Sequence, residues 1–324
     1  MKRILKGLLG LIVIAVIALV IWGYAPDTDP AAMRAKYAGA PSQFVDVGGG
    51  LTVHLRDEGP RDAPVLVLLH GSNASLHTWE PWVARLKGKY RIISYDQPGH
   101  GLTGPHPKDD YSPAAFGDVV DKVTAKLGVS RFALGGNSMG GGIAAHYALA
   151  HPDRLTALIL VDAGGPPDAK PKALPIGFRV AQTPGLRGIM DYITPRSIID
   201  KSIHQTIANQ AIINDAMIDR DWELLRYPGN RHATGIRFGM ARVPLDAAAF
   251  AGFKVPTLIL WGEEDTLIPV TAGQWFAKAI PSARLIVYPK IGHIPMEEAA
   301  DQSAADVDAF LSALPAGKAV AAVR

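Results

Sequence analysis

The stretch Leu134-Gly135-Gly136-Asn137-Ser138-Met139-Gly140-Gly141-Gly142 closes a run of strand-forming residues and opens a run of helix formers. Its Gly136-x-Ser138-x-Gly140 spacing limits the fold more than any other feature of the chain. Glycines two positions either side of a serine are needed where a strand turns into a helix so sharply that the two backbones nearly touch. The central residue is then held in strained dihedrals and its hydroxyl is pushed out beyond the sheet edge. The helix that follows aims its positive N-terminus at the same place. Gly141, Gly142, Ala144 and Ala145 carry the small-residue surface into that helix, as close packing of helix on sheet requires.

Such a turn needs a sheet to leave from. Residues 65–69 form a continuous apolar run, the pattern of a strand covered on both faces, and stop at His70-Gly71-Ser72-Asn73. Residues 91–95 repeat the design and stop at Asp96-Gln97-Pro98-Gly99-His100-Gly101. Residues 132–134, 155–161, 257–261 and 283–288 read as further strands, and helical spacing lies between them over 79–86, 112–127, 139–150 and 270–280. Ser112-Pro113 suits a helix start, with Ser as cap and Pro at the first position. Ahead of these, residues 43–47 and 51–55 flank Gly48-Gly49-Gly50 and predict an opening hairpin. Strands alternating with helices specify an α/β protein with a mostly parallel, doubly wound sheet, whose ligand site lies at the carboxyl ends of the strands. His70, Asp96 and Ser138 all fall just past such ends.

From 164 to about 253 the rhythm changes. Pro166, Pro167, Pro171, Pro175, Pro184 and Pro195 interrupt it, and the segments 196–210 and 212–225 read as short helices. We expect an inserted helical cap here, with Ile176, Phe178, Trp222, Tyr227, Phe238 and Met240 supplying its core and part of an apolar pocket, and with Arg179, Arg226, Arg231 and Arg237 as solvated charges. A closing helix over 296–311 follows Gly292-His293, and the tail from Pro315 is expected to fray.

The N-terminus is of another kind. Lys2, Arg3 and Lys6 precede an apolar run over 8–22, with Trp22 and Tyr24 at its end. At 1.5 Å per residue the run is slightly short for a hydrocarbon core of about 30 Å, and its flanks extend it. Basic residues on the cytoplasmic side and aromatic residues at the far interface fit an uncleaved membrane anchor over 1–24. A cleaved signal peptide, leaving a secreted or periplasmic protein, is the alternative, although no clean A-x-A site precedes Pro26. Either way the folded body is expected outside the cytoplasm. Residues 25–41, rich in Pro, Ala and Asp, read as a linker, leaving 42–324 as the folded domain. The net charge of +3 comes from 33 basic and 30 acidic residues; without the three N-terminal basic residues the balance is 30 against 30. Nothing in that balance suits a nucleic-acid partner. Cysteine is absent, so no disulfide or thiolate chemistry is available. No metal or cofactor site is expected, and the elbow glycines do not match a P-loop, because no Lys-Ser or Lys-Thr follows them.

A serine hydroxyl becomes a useful nucleophile when a base accepts its proton, and that base needs a carboxylate to set its tautomer. The chain offers Ser138, then Asp265, then His293, each after a strand. Asp162, also just past a strand, is the rival acid. Together with His70-Gly71, Asp96-x-Pro98-Gly99-x-Gly101, Trp261-Gly262-x-x-Asp265 and Gly292-His293, the elbow makes residues 43–311 resemble the α/β-hydrolases. That resemblance implies an α/β-hydrolase fold with a cap and a Ser138-His293-Asp265 triad. It also implies an oxyanion hole from the backbone N–H groups of Met139 and Ser72, with Asn73 a lesser candidate. His70 and His100 are then expected to shape the neighbouring loops rather than to transfer protons.

Within that family the sequence points first to cleavage of a small apolar carboxylic ester. The Asn137-Ser138-Met139-Gly140-Gly141 elbow also resembles that of the meta-cleavage-product hydrolases, which split a carbon–carbon bond. The residues after His70-Gly71 lack the Gly-Pro-Gly stretch of those enzymes, and Ile294 follows His293 where they often place Trp. A membrane-tethered binding protein with a relic site is the reading from another class. Haloalkane dehalogenases and epoxide hydrolases use an Asp nucleophile, which Ser138 excludes.

Overall fold

A computed structural model describes residues 2–167, 169, 171–172, 174–183 and 187–314. Pro184 and the tail from Pro315 lie outside the described residues. The chain begins with α1 (Lys2–Gly23) and α2 (Pro30–Tyr37). A sheet of eight strands follows: β1 (Gln43–Asp46), β2 (Thr52–Glu58), β3 (Val65–Leu69), β4 (Arg91–Tyr95), β5 (Phe132–Asn137), β6 (Leu155–Val161), β7 (Thr257–Gly262) and β8 (Ala283–Tyr288). Their spatial order is β1-β2-β4-β3-β5-β6-β7-β8. Strands β1 and β2 pair antiparallel, as does β2 with β4, and the pairs from β4 through β8 are parallel. The hairpin turn between β1 and β2 follows from composition: Gly48, Gly49 and Gly50 all take positive φ, which a Cβ would oppose.

The continuous apolar strands are explained by two cores, one on each face. Val67 and Leu69 of β3 pack in one with Leu134, Leu160, Ile259 and Phe276. Leu66 and Leu68, one residue out of phase, pack in the other with Trp79, Trp82, Ile159 and Leu258. A strand buried on both sides has no polar face to alternate with. Helices α3 (Glu80–Leu86), α4 (Pro113–Lys126) and α5 (Met139–Ala150) cross between the early strands. Ser112 caps α4 through its hydroxyl, which accepts from the Ala115 N–H at 3.2 Å. Between β6 and β7 lie α6 (Ile176–Gln182), α7 (Arg196–Thr206), α8 (Asp215–Leu225) and α9 (Asn230–Gly239), and after β7 come α10 (Val270–Ala279), α11 (Pro295–Glu298) and α12 (Ala300–Ser312). The cap helices have their own small core of Ile199, Ile203, Ile207, Ile218 and Leu225.

Several sequence expectations change. The stretch 25–41, read as a linker, contains α2 and is docked: Asp29 caps it through Ala32 N–H at 2.7 Å, and buried Met33 packs on Leu102, Leu224 and Tyr227. Its Asp-Pro start was a helix signal overlooked because the segment is short. The helix expected over 79–86 starts as a 3-10 turn, Leu76–Trp79, before α3, and the closing helix is broken at Ala299. Arg226 and Arg231 are buried rather than solvated. Arg231 donates to the Ala25 carbonyl and to Asp27, and Arg226 donates to the Pro26 carbonyl while lying 3.6 Å over the Trp222 ring. Both hold the segment after α1 onto the cap. Arg237 donates to the Ser72 hydroxyl at 2.6 Å, and only Arg179 of the four is exposed as expected.

Candidate active site

Ser138 sits between β5 and α5 with φ 55° and ψ −116°, a conformation an L-residue holds only under constraint, at a cost of about 1–3 kcal/mol. The constraint is visible on both sides. A Cβ on Gly136 would strike the Gly140 carbonyl, and one on Gly140 would strike the Leu69 carbonyl, so only glycine lets strand and helix meet here. The Ser138 N–H donates to Val161 O at 3.0 Å, and its own carbonyl accepts from Gly142 and Gly164. The Met139 N–H opens α5, where the helix dipole favours negative charge. Among the described residues neither that N–H nor the Ser72 N–H has a protein acceptor, which leaves both free for an oxyanion.

His293 lies in the loop between β8 and α11, and Asp265 in the turn after β7. The His293 Nδ1 and Asp265 Oδ2 are 2.7 Å apart and buried. Asp265 Oδ1 accepts from the Leu267 and Ile268 N–H groups at 2.7 and 3.0 Å, which orients the carboxylate so that its other oxygen faces the imidazole. Ser138 and His293 line the same cavity, which has about 1120 Å³ of empty space, part of it open to solvent.

Two residues that the sequence reading did not single out hold this geometry. Asn137, beside the serine, donates its side-chain amide to the His293 carbonyl at 3.0 Å and to Val161 O at 3.2 Å, tying the histidine loop to the elbow. Buried Glu298 accepts from the N–H groups of Gly292, Ala208 and Asn209 and, at 3.3 Å, of Ile294. It thereby joins the histidine loop to the cap, a link reinforced by His293 N–H donating to Thr206 O at 3.0 Å. The identity of Asn137 next to the nucleophile position was a signal. Glu298 gave none, because its partners lie in a distant segment.

Asp162, the rival acid, is close but does not contact the imidazole in a hydrogen bond. It, Asp265 and His293 each bring one ligand-type atom within 4.8 Å of the others, a spacing that could also suit a metal ion. Asp162 Oδ1 accepts from Gly262 N–H at 2.9 Å, whereas its Oδ2 is buried with no donor. An acceptor with no donor, set against a second carboxylate, is satisfied when it carries the proton itself. Burial and then the Asp265 charge push Asp162 well above the usual carboxylate range, in keeping with that orphaned oxygen.

The other histidines are framework. His70 Nε2 accepts from Gln97 N–H at 3.0 Å, and the Gln97 side chain donates to His70 O at 2.6 Å. Burial lowers the His70 pKa and keeps the ring neutral as an acceptor. His100 is likewise buried and lowered, with Nδ1 on Pro98 O. Asp96 accepts from Leu76 and Leu102 N–H and contacts His54 at 2.7 Å. Burial opposes its charge, but His54 and those donors outweigh burial and hold it below the usual range. The Asp96-to-Gly101 motif is therefore a loop clamp beneath the site.

Residues 64–300 match the α/β-hydrolase fold family. The chain belongs to that family. Among curated relatives, a 2-hydroxy-6-oxononadienedioate/2-hydroxy-6-oxononatrienedioate hydrolase of Comamonas testosteroni is 26% identical over 278 residues, covering 80% of this chain and 92% of that one. Lipase 1 of Psychrobacter immobilis is 30% identical over 261 residues, 78% of each. The solved structure of a membrane phospholipase A, described as a bacterial virulence factor, superposes with a TM-score of 0.74 at 25% identity, over 98% of this chain and 100% of that one. In this α/β-hydrolase the cap residues divide. Phe178 and Phe238, with ring centroids 4.9 Å apart, line the cavity. Ile176 and Met240 are exposed, Tyr227 is buried against α2, and Trp222 packs with the cap core. Most of the apolar lining comes from residues not singled out in the sequence, including Ile198, Ile199, Ile203 and Met190. The Ile199, Ile203 and Ile207 spacing of four was the available signal.

Proposed function

We propose that this protein hydrolyses carboxylic esters with short to medium apolar acyl groups through an acyl-enzyme, with Ser138 as nucleophile, His293 as base and Asp265 as the triad acid. The observation that carries the reading is that His293, hydrogen-bonded to Asp265 behind it, shares one apolar-walled cavity with a serine on a strained elbow. His293 takes the Ser138 proton as the hydroxyl adds to the ester carbonyl, and Asp265 stabilises the imidazolium. The negative oxygen of the tetrahedral intermediate is taken by the Ser72 and Met139 N–H groups. Collapse returns the proton from His293 to the leaving alcohol; water, deprotonated by His293, then releases the acid.

Carbon–carbon hydrolysis is the second reading, favoured by relatives named for dienedioate substrates. Such substrates carry carboxylates. Among the described residues lining the cavity, the one arginine, Arg220, already faces Asp221, and Glu297 adds a further acid. An anionic tail would there meet an arginine already set beside one acid, with a second acid in the same lining, which supports the ester reading. Purified protein should turn over graded acyl esters and be labelled at Ser138 by a fluorophosphonate. Faster turnover of a ring-fission dienoate than of any ester would hand the function to the second reading, and absence of labelling would leave only a binding protein.

The same proposal places the protein at a membrane through α1, with its body outside the cytoplasm. The most apolar 18-residue window within Ile4–Gly23 has mean hydropathy 2.9, and none of the described side chains in it is buried, so they need other apolar surroundings. The end of α1 grips the cap: Thr194 N–H donates to Gly23 O, and Ala25 N–H to Tyr192 O. The membrane-phospholipase likeness supports the reading. After high-salt washing, full-length protein should remain in the membrane fraction. Its recovery in the soluble cytoplasmic fraction would remove the anchor.

A further inference from the structure

The cavity lining has an apolar and a polar part. Phe178, Met190, Ile198, Ile199, Ile203 and Phe238 contribute to the apolar part. The polar part includes Ser75 and Thr78 from the segment before α3, Arg220 and Asp221 from α8, and Glu297 from α11. These polar residues come from three separate parts of the chain, and the triad uses none of them. Thr78 donates to Glu297 Oε1 at 2.5 Å, and Arg220 Nε lies 3.4 Å from Asp221 Oδ1. Ser75 is only 2% exposed, lines the cavity, and its hydroxyl has no partner in the protein. A buried hydroxyl without a partner costs free energy unless something in the cavity completes it.

We propose that this polar part is a subsite for a hydroxyl-bearing alcohol group, so that the preferred ester joins an apolar acyl chain to a polyol of the glycerol type. This rests on the ester-hydrolase reading above. A hydroxyl both donates and accepts, which matches a surface offering carboxyl acceptors on Asp221 and Glu297, a donor on Arg220 and either role on Ser75. A plain alkyl alcohol would bury those groups unpaired, and the selectivity of polar sites against analogues that lack a hydroxyl comes from that penalty. An anionic group would meet Asp221 and Glu297 beside the one lining arginine, Arg220, which already lies against Asp221. Burial lifts Glu297 to about 7, above the ordinary carboxylate, so near neutrality it is part protonated and able to donate as well as accept. Position agrees too. Glu297 lies four residues beyond His293, the group that must hand a proton to the leaving alcohol, so the alcohol is released toward the histidine loop.

The test uses full-length protein in detergent and three esters of one acid: glyceryl monobutyrate, propyl butyrate and butyrylcholine. Rates are normalised to active sites counted by fluorophosphonate labelling, so a variant that folds poorly is still scored on its folded fraction. Wild type should favour the glyceryl over the propyl ester in kcat/KM by about tenfold or more, the scale of one or two hydrogen bonds involving charged groups. Glu297→Gln should cut that ratio several-fold. Ser75→Ala removes a hydroxyl that has no protein partner, so it should fold normally and also lower the ratio. Equal turnover of glyceryl and propyl esters by wild type, or an unchanged ratio in both variants, overturns the polyol subsite and leaves the ester reading intact. Fastest turnover of butyrylcholine overturns it in favour of a cation site. No turnover of any of the three removes the ester reading as well.

Discussion

Ser138→Ala and His293→Ala should each lower ester kcat on the order of 10⁶-fold, and the double variant should be little worse than either one. The reason is chemical coupling. Without the imidazole the Ser138 hydroxyl keeps its proton, and without the hydroxyl the imidazole has nothing to deprotonate in the acylation step. Once either is gone, what remains is substrate binding and the oxyanion donors, which neither substitution touches if, as proposed, those donors are the backbone N–H groups of Ser72 and Met139. Single-turnover and steady-state rates on one activated ester, measured for the three variants, check this. Losses that multiplied in the double variant would mean that the two residues do not form one unit.

Asp265→Asn should cost on the order of 10⁴ in turnover, the scale seen when a triad acid becomes an amide. Its oxygen will stay on the Leu267 and Ile268 N–H groups, since only an acceptor fits there. The amide nitrogen then faces His293 Nδ1 and forces that atom to accept. The ring proton moves to Nε2, where the nucleophile's proton has to go, and the base is disabled with the fold intact. Asp162→Asn should behave differently. The amide keeps an acceptor for Gly262 N–H and a donor toward Asp265, which is the arrangement of a protonated Asp162, so the loss should stay within about tenfold. Comparing the two variants by kcat/KM, with circular dichroism to verify folding, separates the acids. A larger loss at Asp162 would reverse their roles.

The two acids also mark how far sequence reasoning reaches. Both follow strands and both precede His293 in the chain; the expected order favours Asp265 and leaves Asp162 as the rival. The structure separates them: Asp265 Oδ2 reaches His293 Nδ1 across 28 positions while the Leu267 and Ile268 N–H groups hold its other oxygen, whereas Asp162 has a single donor and an orphaned oxygen. Glu298 is a similar case, because its acceptor role depends on Ala208 and Asn209, some ninety positions away.

What the sequence by itself determined is what neighbouring residues enforce on one another. Unbroken apolar runs require strands buried on both faces, and β3, β6 and β7 indeed send alternate residues into opposite cores. Glycines around Ser138 permit the elbow, because the clashes that exclude a Cβ there lie across a turn of four residues and at the adjoining strand end. The hairpin at Gly48-Gly49-Gly50 is as local. Tertiary structure alone decided which cap residues line the cavity, that Arg226 and Arg231 are buried against the segment after α1, that 25–41 is a docked helix, and that Ser75, Thr78, Arg220, Asp221 and Glu297 line one cavity. Each of these depends on segments far apart in the chain arriving at one place. That is set by how helices pack over a common core, and the same arginine or isoleucine reads identically in sequence whether it faces solvent, a carbonyl or a substrate.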